Sequence, residues 1–219
     1  MTKIIMDEMK KTRDALKAML KEAQESCRLT IKLIHGEEDT KVLLDRILEL
    51  EENADNEMVR ITEELSEIVG KLFLAGLLKR AVVCDAVVAN DAEEMFDIMQ
   101  HVAENWVRVM ESDSRGLTEE IKAILESMLQ NCIVMLEKAI DILDGKDISQ
   151  HTLNFIQEVD GNINQANISA HNILLSMKGD KKTIIRIIRI VKHIENLGDK
   201  IKTVSSYLLY IRTGDFIKV

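Results

Sequence analysis

Apolar residues along this 219-residue chain recur every three or four positions and rarely alternate, which is the period of a helix and not of a strand. Glycines interrupt the pattern at His35-Gly36, Arg115-Gly116, Asp144-Gly145 and Lys178-Gly179-Asp180, the punctuation expected where helices end. Between these breaks the pattern predicts six helices, over about 3–34, 38–69, 77–112, 117–143, 148–177 and 181–212. Thr118 is placed to cap the fourth. Segment 70–76, Gly-Lys-Leu-Phe-Leu-Ala-Gly, reads as a turn between the second and third helices or as a kink in one long helix, and its two glycines favour the turn. Each helix would be roughly 27 to 36 residues, or about 40 to 55 Å, long. Long helices with short connections pack as antiparallel bundles. The fold expected is all-α: six long antiparallel helices in two tandem three-helix bundles, 1–114 and 115–219.

Composition supports this reading. Aromatics make up only 3% and proline is absent, whereas sandwiches and barrels need aromatic strand residues and prolines in turns. The net charge of −9 disfavours non-specific binding to nucleic acid, which requires cationic charge to displace counterions, and it suits cations as ligands. Cys27, Cys84 and Cys132 form no CxxC pair, so a disulfide framework or thiolate zinc site is not expected. With no signal-peptide pattern in the first residues, the expected compartment is a reducing cytoplasm. The longest apolar tract, 184–191, is broken by Arg186 and Arg189 and is far short of a membrane span.

The acidic residues change the picture most. The second helix carries Glu51 and Asp55, the third Glu93 and Asp97, the fifth Asp160 and the sixth Glu195 and Asp199. Asp55 and Asp160 are about 105 residues apart, and Asp97 and Asp199 about 102, which suggests an internal duplication. Residues four apart share a helix face. Glu51 and Asp55 fall in line with Leu44, Ile47, Met58 and Leu65, and Glu93 and Asp97 with Val83, Val87 and His101. Carboxylates on an inward stripe meet desolvation and mutual repulsion. Protonation, pairing with lysine or arginine, or a bound cation would each relieve it, and the second and third helices offer no obvious basic partner. Oxygen donors without thiolates suit Mg, Mn, Ca or Fe, and Zn or Ni if histidine joins. The competing readings are solvated faces and a different helical phase. His101 follows Asp97 by four and His171 occupies the like position on the fifth helix, whereas His193 lies off the Glu195/Asp199 face.

Other chemistry is poorly represented. Residues three before the five histidines are Lys32, Ile98, Ile148, Ile168 and Ile190, so the Glu-x-x-His element of ferritin-like di-metal proteins is missing. There is no phosphate-cradling glycine loop and no nucleophile elbow. Trp106, Tyr207 and Tyr210 read as packing residues at bundle ends, and the eleven methionines as core filler.

The segment beginning Ile190-Val-Lys-His-Ile-Glu-Asn-Leu-Gly-Asp, with its Thr213-Gly214 tail, resembles the second signature of the PhoU proteins, regulators of phosphate uptake. Leu50-Glu-Glu-Asn-Ala-Asp55 and Glu93-x-x-x-Asp97 resemble that family's elements on the second and third helices. The resemblance extends over nearly the whole chain. It implies two three-helix bundles side by side, each with a multinuclear metal cluster of Fe, Zn, Ni, Mn or Mg near its surface. It further implies a cytoplasmic, dimeric, non-enzymatic regulator whose partners are a phosphate transporter and a sensor histidine kinase. Carried over, Glu51, Asp55, Glu93 and Asp97 are the first bundle's ligands, and Asp160, Glu195 and Asp199 the second's. Ile156 stands where a fourth acid is expected, with Asn164 as a weaker neutral substitute. Phe96 replaces the small residue before the third-helix aspartate, whereas Gly198 keeps it before Asp199. The alternatives are a metal-dependent phosphoesterase and a metal-free helical adaptor.

Overall fold

The computed structural model describes residues 2–71, 76–112, 118–146, 149–177 and 180–214. They form α1 (Thr2–His35), α2 (Thr40–Lys71), α3 (Gly76–Met110), α4 (Glu119–Asp144), α5 (Gln150–Ser176) and α6 (Lys181–Thr213). All six expected helices are present, with ends within about three residues of the periodicity reading. The 70–76 joint separates two helices: Gly70 is still helical, α3 begins at Gly76, and 72–75 lie outside the described residues. The expected boundary at 114/115 also lies outside them.

Local chemistry explains where the helices stop. The Thr118 hydroxyl accepts a hydrogen bond from the Ile121 amide and starts α4, and Ser149 and Asp180 do the same for α5 and α6. The Asp39 carboxylate accepts from the amides of Lys41 and Val42 at the head of α2. Each cap satisfies an amide that the helix itself leaves unpaired. Gly145 ends α4 at φ 73°, and its amide turns back to the carbonyls of Asp141 and Ile142. A side chain at that backbone angle would be strained, which is why glycine stands there.

Helices α1, α2 and α3 pack on one another, as do α4, α5 and α6, and the two groups are joined by α3 against α6 and α1 against α4. The α3–α6 contact is the most extensive of all. One end of it, where α3 finishes and α6 starts, is tied by polar links: Arg186 donates to the Arg108 carbonyl at 2.9 Å, and the Ser112 and Thr183 hydroxyls meet at 2.8 Å. Across the α1–α4 seam, Lys17 holds both Asp144 oxygens at 2.6 and 2.7 Å, and Gln24 donates to the Ile133 carbonyl. One continuous core runs through both groups and includes Leu16, Leu20, Met95, Phe96, Leu129, Ile187 and Ile194.

The largest wholly buried side chain is Trp106 near the end of α3, and its indole N–H donates to the Leu33 carbonyl at 3.2 Å. Trp106→Ala should cost about 3–5 kcal/mol, the usual cost of deleting a large buried aromatic. Urea unfolding at an unchanged m-value measures it; a loss under about 1 kcal/mol would show that this end of the core collapses around the gap.

Candidate metal centre

The core stripe of α2 is Leu43, Ile47, Ala54, Ile61, Leu65 and Ile68, and that of α3 is Val88, Ala92, Met95, Phe96, Met99, Val102 and Trp106. Glu51, Asp55, Glu93 and Asp97 lie beside these stripes, on the shoulder where α2 meets α3. Asp55 is exposed and the other three are half-buried. This corrects the expected inward phase. Val83, taken as part of the inward face of α3, is 63% exposed. The sequence pattern placed the acids one step too far around each helix, because long amphipathic helices carry partly buried flanks that share apolar residues with the core face.

The four carboxylates nonetheless face one another across the seam. Glu51 comes within hydrogen-bonding reach of Asp97 and feels Asp55, while Glu93 comes within reach of Asp55 and feels Asp97. Burial, then the neighbouring negative charge, pushes Glu93 up to about 7 and raises Glu51 as well. Among the described residues no lysine or arginine forms an ion pair with any of the four. Nearby ammonium groups are committed elsewhere: Lys200 of α6 holds Asp91 at 3.0 Å and Glu94 at 2.5 Å. As the side chains stand, no group of three or more His, Cys, Asp or Glu among the described residues is arranged to hold a metal ion. The arrangement is two facing carboxylate pairs. Oxygen-only donors, crowded and unneutralised at a surface seam, fit the needs of a hard divalent cation. Such an ion would supply the positive charge that the seam lacks. Phe96, the bulky neighbour of Asp97, points into the core and is 1% exposed, so it does not crowd the seam.

The second set is built differently. Asp160 is the one acid of the seven turned inward, at 5% exposure. Its Oδ2 accepts from Lys202 at 2.8 Å and from Asn164 at 3.4 Å, while its Oδ1 is buried without a partner. Lys202 also holds Asp199 at 2.9 Å. Burial alone would lower the Lys202 pKa, but its hydrogen bonds to Asp160 and Asp199 outweigh that and raise it. Glu195 pairs with Lys192, and Ile156, in place of a fourth acid, is wholly buried. A donor set already neutralised by two lysines does not fit a metal cluster. Gly198 permits this close packing: a Cβ there would sit 3.0 Å from the Ile163 Cδ1 and 3.3 Å from the Asp160 Oδ1. Sequence reasoning missed Lys202, although the i, i+3 spacing from Asp199 was a visible signal.

His171 is half-buried, and its Nδ1 hydrogen-bonds the Asn167 carbonyl at 2.9 Å. His101 instead faces His193 across the α3–α6 seam, with ring centroids 5.5 Å apart. Burial first, then the nearby His101 and Arg189, lowers the His193 pKa below its usual range.

No family model matches the chain, and no curated protein matches it. Solved structures do. The phosphate transport system regulatory protein PhoU from Streptococcus pneumoniae superposes with a TM-score of 0.84 at 15% identity, over 98% of this chain and 100% of that one. PhoU from Pseudomonas aeruginosa gives 0.83 at 18%, over 95% and 99%. The chain has the PhoU fold. At these identities the likeness is one of architecture, carried by helix order and packing with few shared side chains. It confirms the all-α, six-helix, PhoU-like class that the sequence resemblance implied.

Two outcomes follow. Folded Glu93 holds its proton up to about pH 7, against an ordinary value of 4.5, and Asp85, wholly buried near Arg13, up to about 6 against 3.8. Between those values the folded state binds protons that the unfolded state has lost. The stability they confer is therefore complete below about pH 4 and falls as pH rises through about 7. The Tm of metal-free protein should decline from pH 5 to pH 8, and Glu93→Gln should flatten the upper part of that decline. An unchanged slope in the variant would mean that the carboxylates do not crowd. In the other half, Gly198→Leu should destabilise by about 1–3 kcal/mol through overpacking. Gly198→Ala should gain less than the ~1 kcal/mol that helix propensity alone would give. Urea melts of both variants measure the two effects.

Proposed function

We propose that this protein is a PhoU-like regulator of phosphate uptake and phosphate signalling that acts through protein–protein contact and not by catalysis. The observation that carries this reading is the end-to-end fold match to a structure described as a phosphate transport system regulatory protein. The partners proposed are a phosphate transporter, a sensor histidine kinase, or both, with the regulator itself a homodimer on the cytoplasmic side. No described helix is long and apolar enough to cross a membrane, so membrane association would come through those partners.

In this reading Glu51, Asp55, Glu93 and Asp97 hold divalent or iron ions. The ion would neutralise the carboxylates and fasten α2 to α3, making the shape of that surface depend on metal supply. Lys202, held by Asp160 of α5 and Asp199 of α6, would fasten those two helices without metal, and Glu195 stays paired with Lys192 on α6. The phosphoesterase reading has less support: among the described residues no arginine or lysine is aimed at the first seam to clamp a transferring phosphoryl group.

The test is genetic and elemental. Deletion should derepress phosphate-responsive genes and alter phosphate uptake, and the wild-type gene should restore both. Unchanged uptake and expression in the deletion strain would rule the regulator out. Tag-free protein should carry at least about one tightly held metal per chain, and Glu51→Gln/Glu93→Gln should lower that by about ten-fold in affinity or more. Metal content that is negligible, with thermal stability indifferent to chelator, would favour a metal-free adaptor.

A further inference from the structure

The α3–α6 seam holds a second assembly, distinct in donor chemistry from the carboxylate seam between α2 and α3. A cleft of about 520 Å³ opens there, with His101 and Asp97 on the α3 side and His193, Asp199 and Lys200 on the α6 side. The two imidazoles come from opposite halves of the chain, 92 positions apart in sequence, and their rings are inclined by 50°. Among the described residues neither ring has a hydrogen-bond partner, whereas His35 is paired with Glu126 and His171 with the Asn167 carbonyl.

We infer that His101 and His193 form a two-imidazole clip for a single borderline transition-metal ion, such as zinc, that bridges the two halves of the molecule. The ring separation is compatible with a shared ion. With metal–nitrogen bonds of about 2.0–2.1 Å and a ring nitrogen about 1.1 Å from its centroid, two imidazoles on one ion have centroids about 4.5 to 5.5 Å apart for bond angles from about 90° to about 120°. The observed 5.5 Å falls at the open end of that span. The electrostatics of the cleft also favour a cation. Of the three carboxylates lining it, Glu94 is paired with Lys200 and Asp199 with Lys202, which leaves Asp97 without an ammonium. Arg189, one turn before His193, opposes the ion from outside the lining, and the unpaired Asp97 offsets it. Imidazole nitrogen selects zinc, nickel or copper over the magnesium that all-oxygen donors admit. Water, or the nearby Asp97 after a rotamer change, would complete the coordination. This inference does not rest on the regulatory reading, and its test leaves phosphate physiology aside.

The experiment uses the full, tag-free chain stripped of metal by chelator. Zn(II) alone is titrated calorimetrically, and Cu(II) alone is added for pulsed EPR, which counts coordinated imidazoles. Wild type should show two imidazoles on one copper. His101→Asn and His193→Asn should each retain one and lose Zn(II) affinity by about ten-fold or more. Zn(II) should also raise the wild-type Tm, and the double variant should lose that rise. Glu51→Gln/Glu93→Gln, which alters only the α2–α3 seam, should keep both imidazoles. Fewer than two imidazoles in wild type would overturn the clip. So would Zn(II) affinity within about two-fold of wild type in both histidine variants, once circular dichroism shows that they fold. Zn(II) binding lost only in the carboxylate variant would assign the ion to the α2–α3 seam and overturn it as well.

Discussion

Six helices with so few aromatics can bury their apolar stripes only if each helix meets at least two others, and α3 packed on α6 is the contact that lets both halves share one core. Both helices contribute to it, with Val88, Met95 and Met99 from α3 and Ile187 and Ile194 from α6 all buried, and the unbranched methionines adapt to irregular gaps. Because that seam is long, polar residues on its flanks are brought into register over several turns. Lys200 reaches Asp91 and Glu94, His193 reaches His101, and Arg186 reaches the end of α3. None of these pairings is local in sequence.

The two halves resolve the same electrostatic problem in opposite ways. On α2 and α3, four carboxylates meet without an ammonium, and the crowding is relieved by holding protons on Glu93 up to about pH 7. A hard cation would relieve it equally well, by supplying positive charge in place of protons. On α5 and α6, Ile156 and Asp160 are buried, and Lys202 binds both Asp160 and Asp199. One half thus leaves its carboxylates without an ammonium, and the other closes them with its own lysines. The close approach at Gly198 belongs to the closed half, where the helix backbone passes against Ile163 and Asp160.

The helices, their order and the Thr118 cap were legible from the sequence because they depend on local physics: a 3.6-residue period, glycines at helix ends, and a hydroxyl at a helix start. The acidic pairs were legible too, as spacing. Their depth was not. A phase error of one step moves a residue from core to shoulder, and the flanks of α2 and α3 carry apolar residues such as Leu44 and Val83 that mimic a core stripe. The structure decided that Glu51 meets Asp97, that Asp55 meets Glu93, and that Lys202 and not a vacancy faces Asp160. It also decided that His193, which lies off the acidic face of its own helix, meets His101 of another. These are contacts between segments tens of residues apart, set by how whole helices pack, and no local period encodes them.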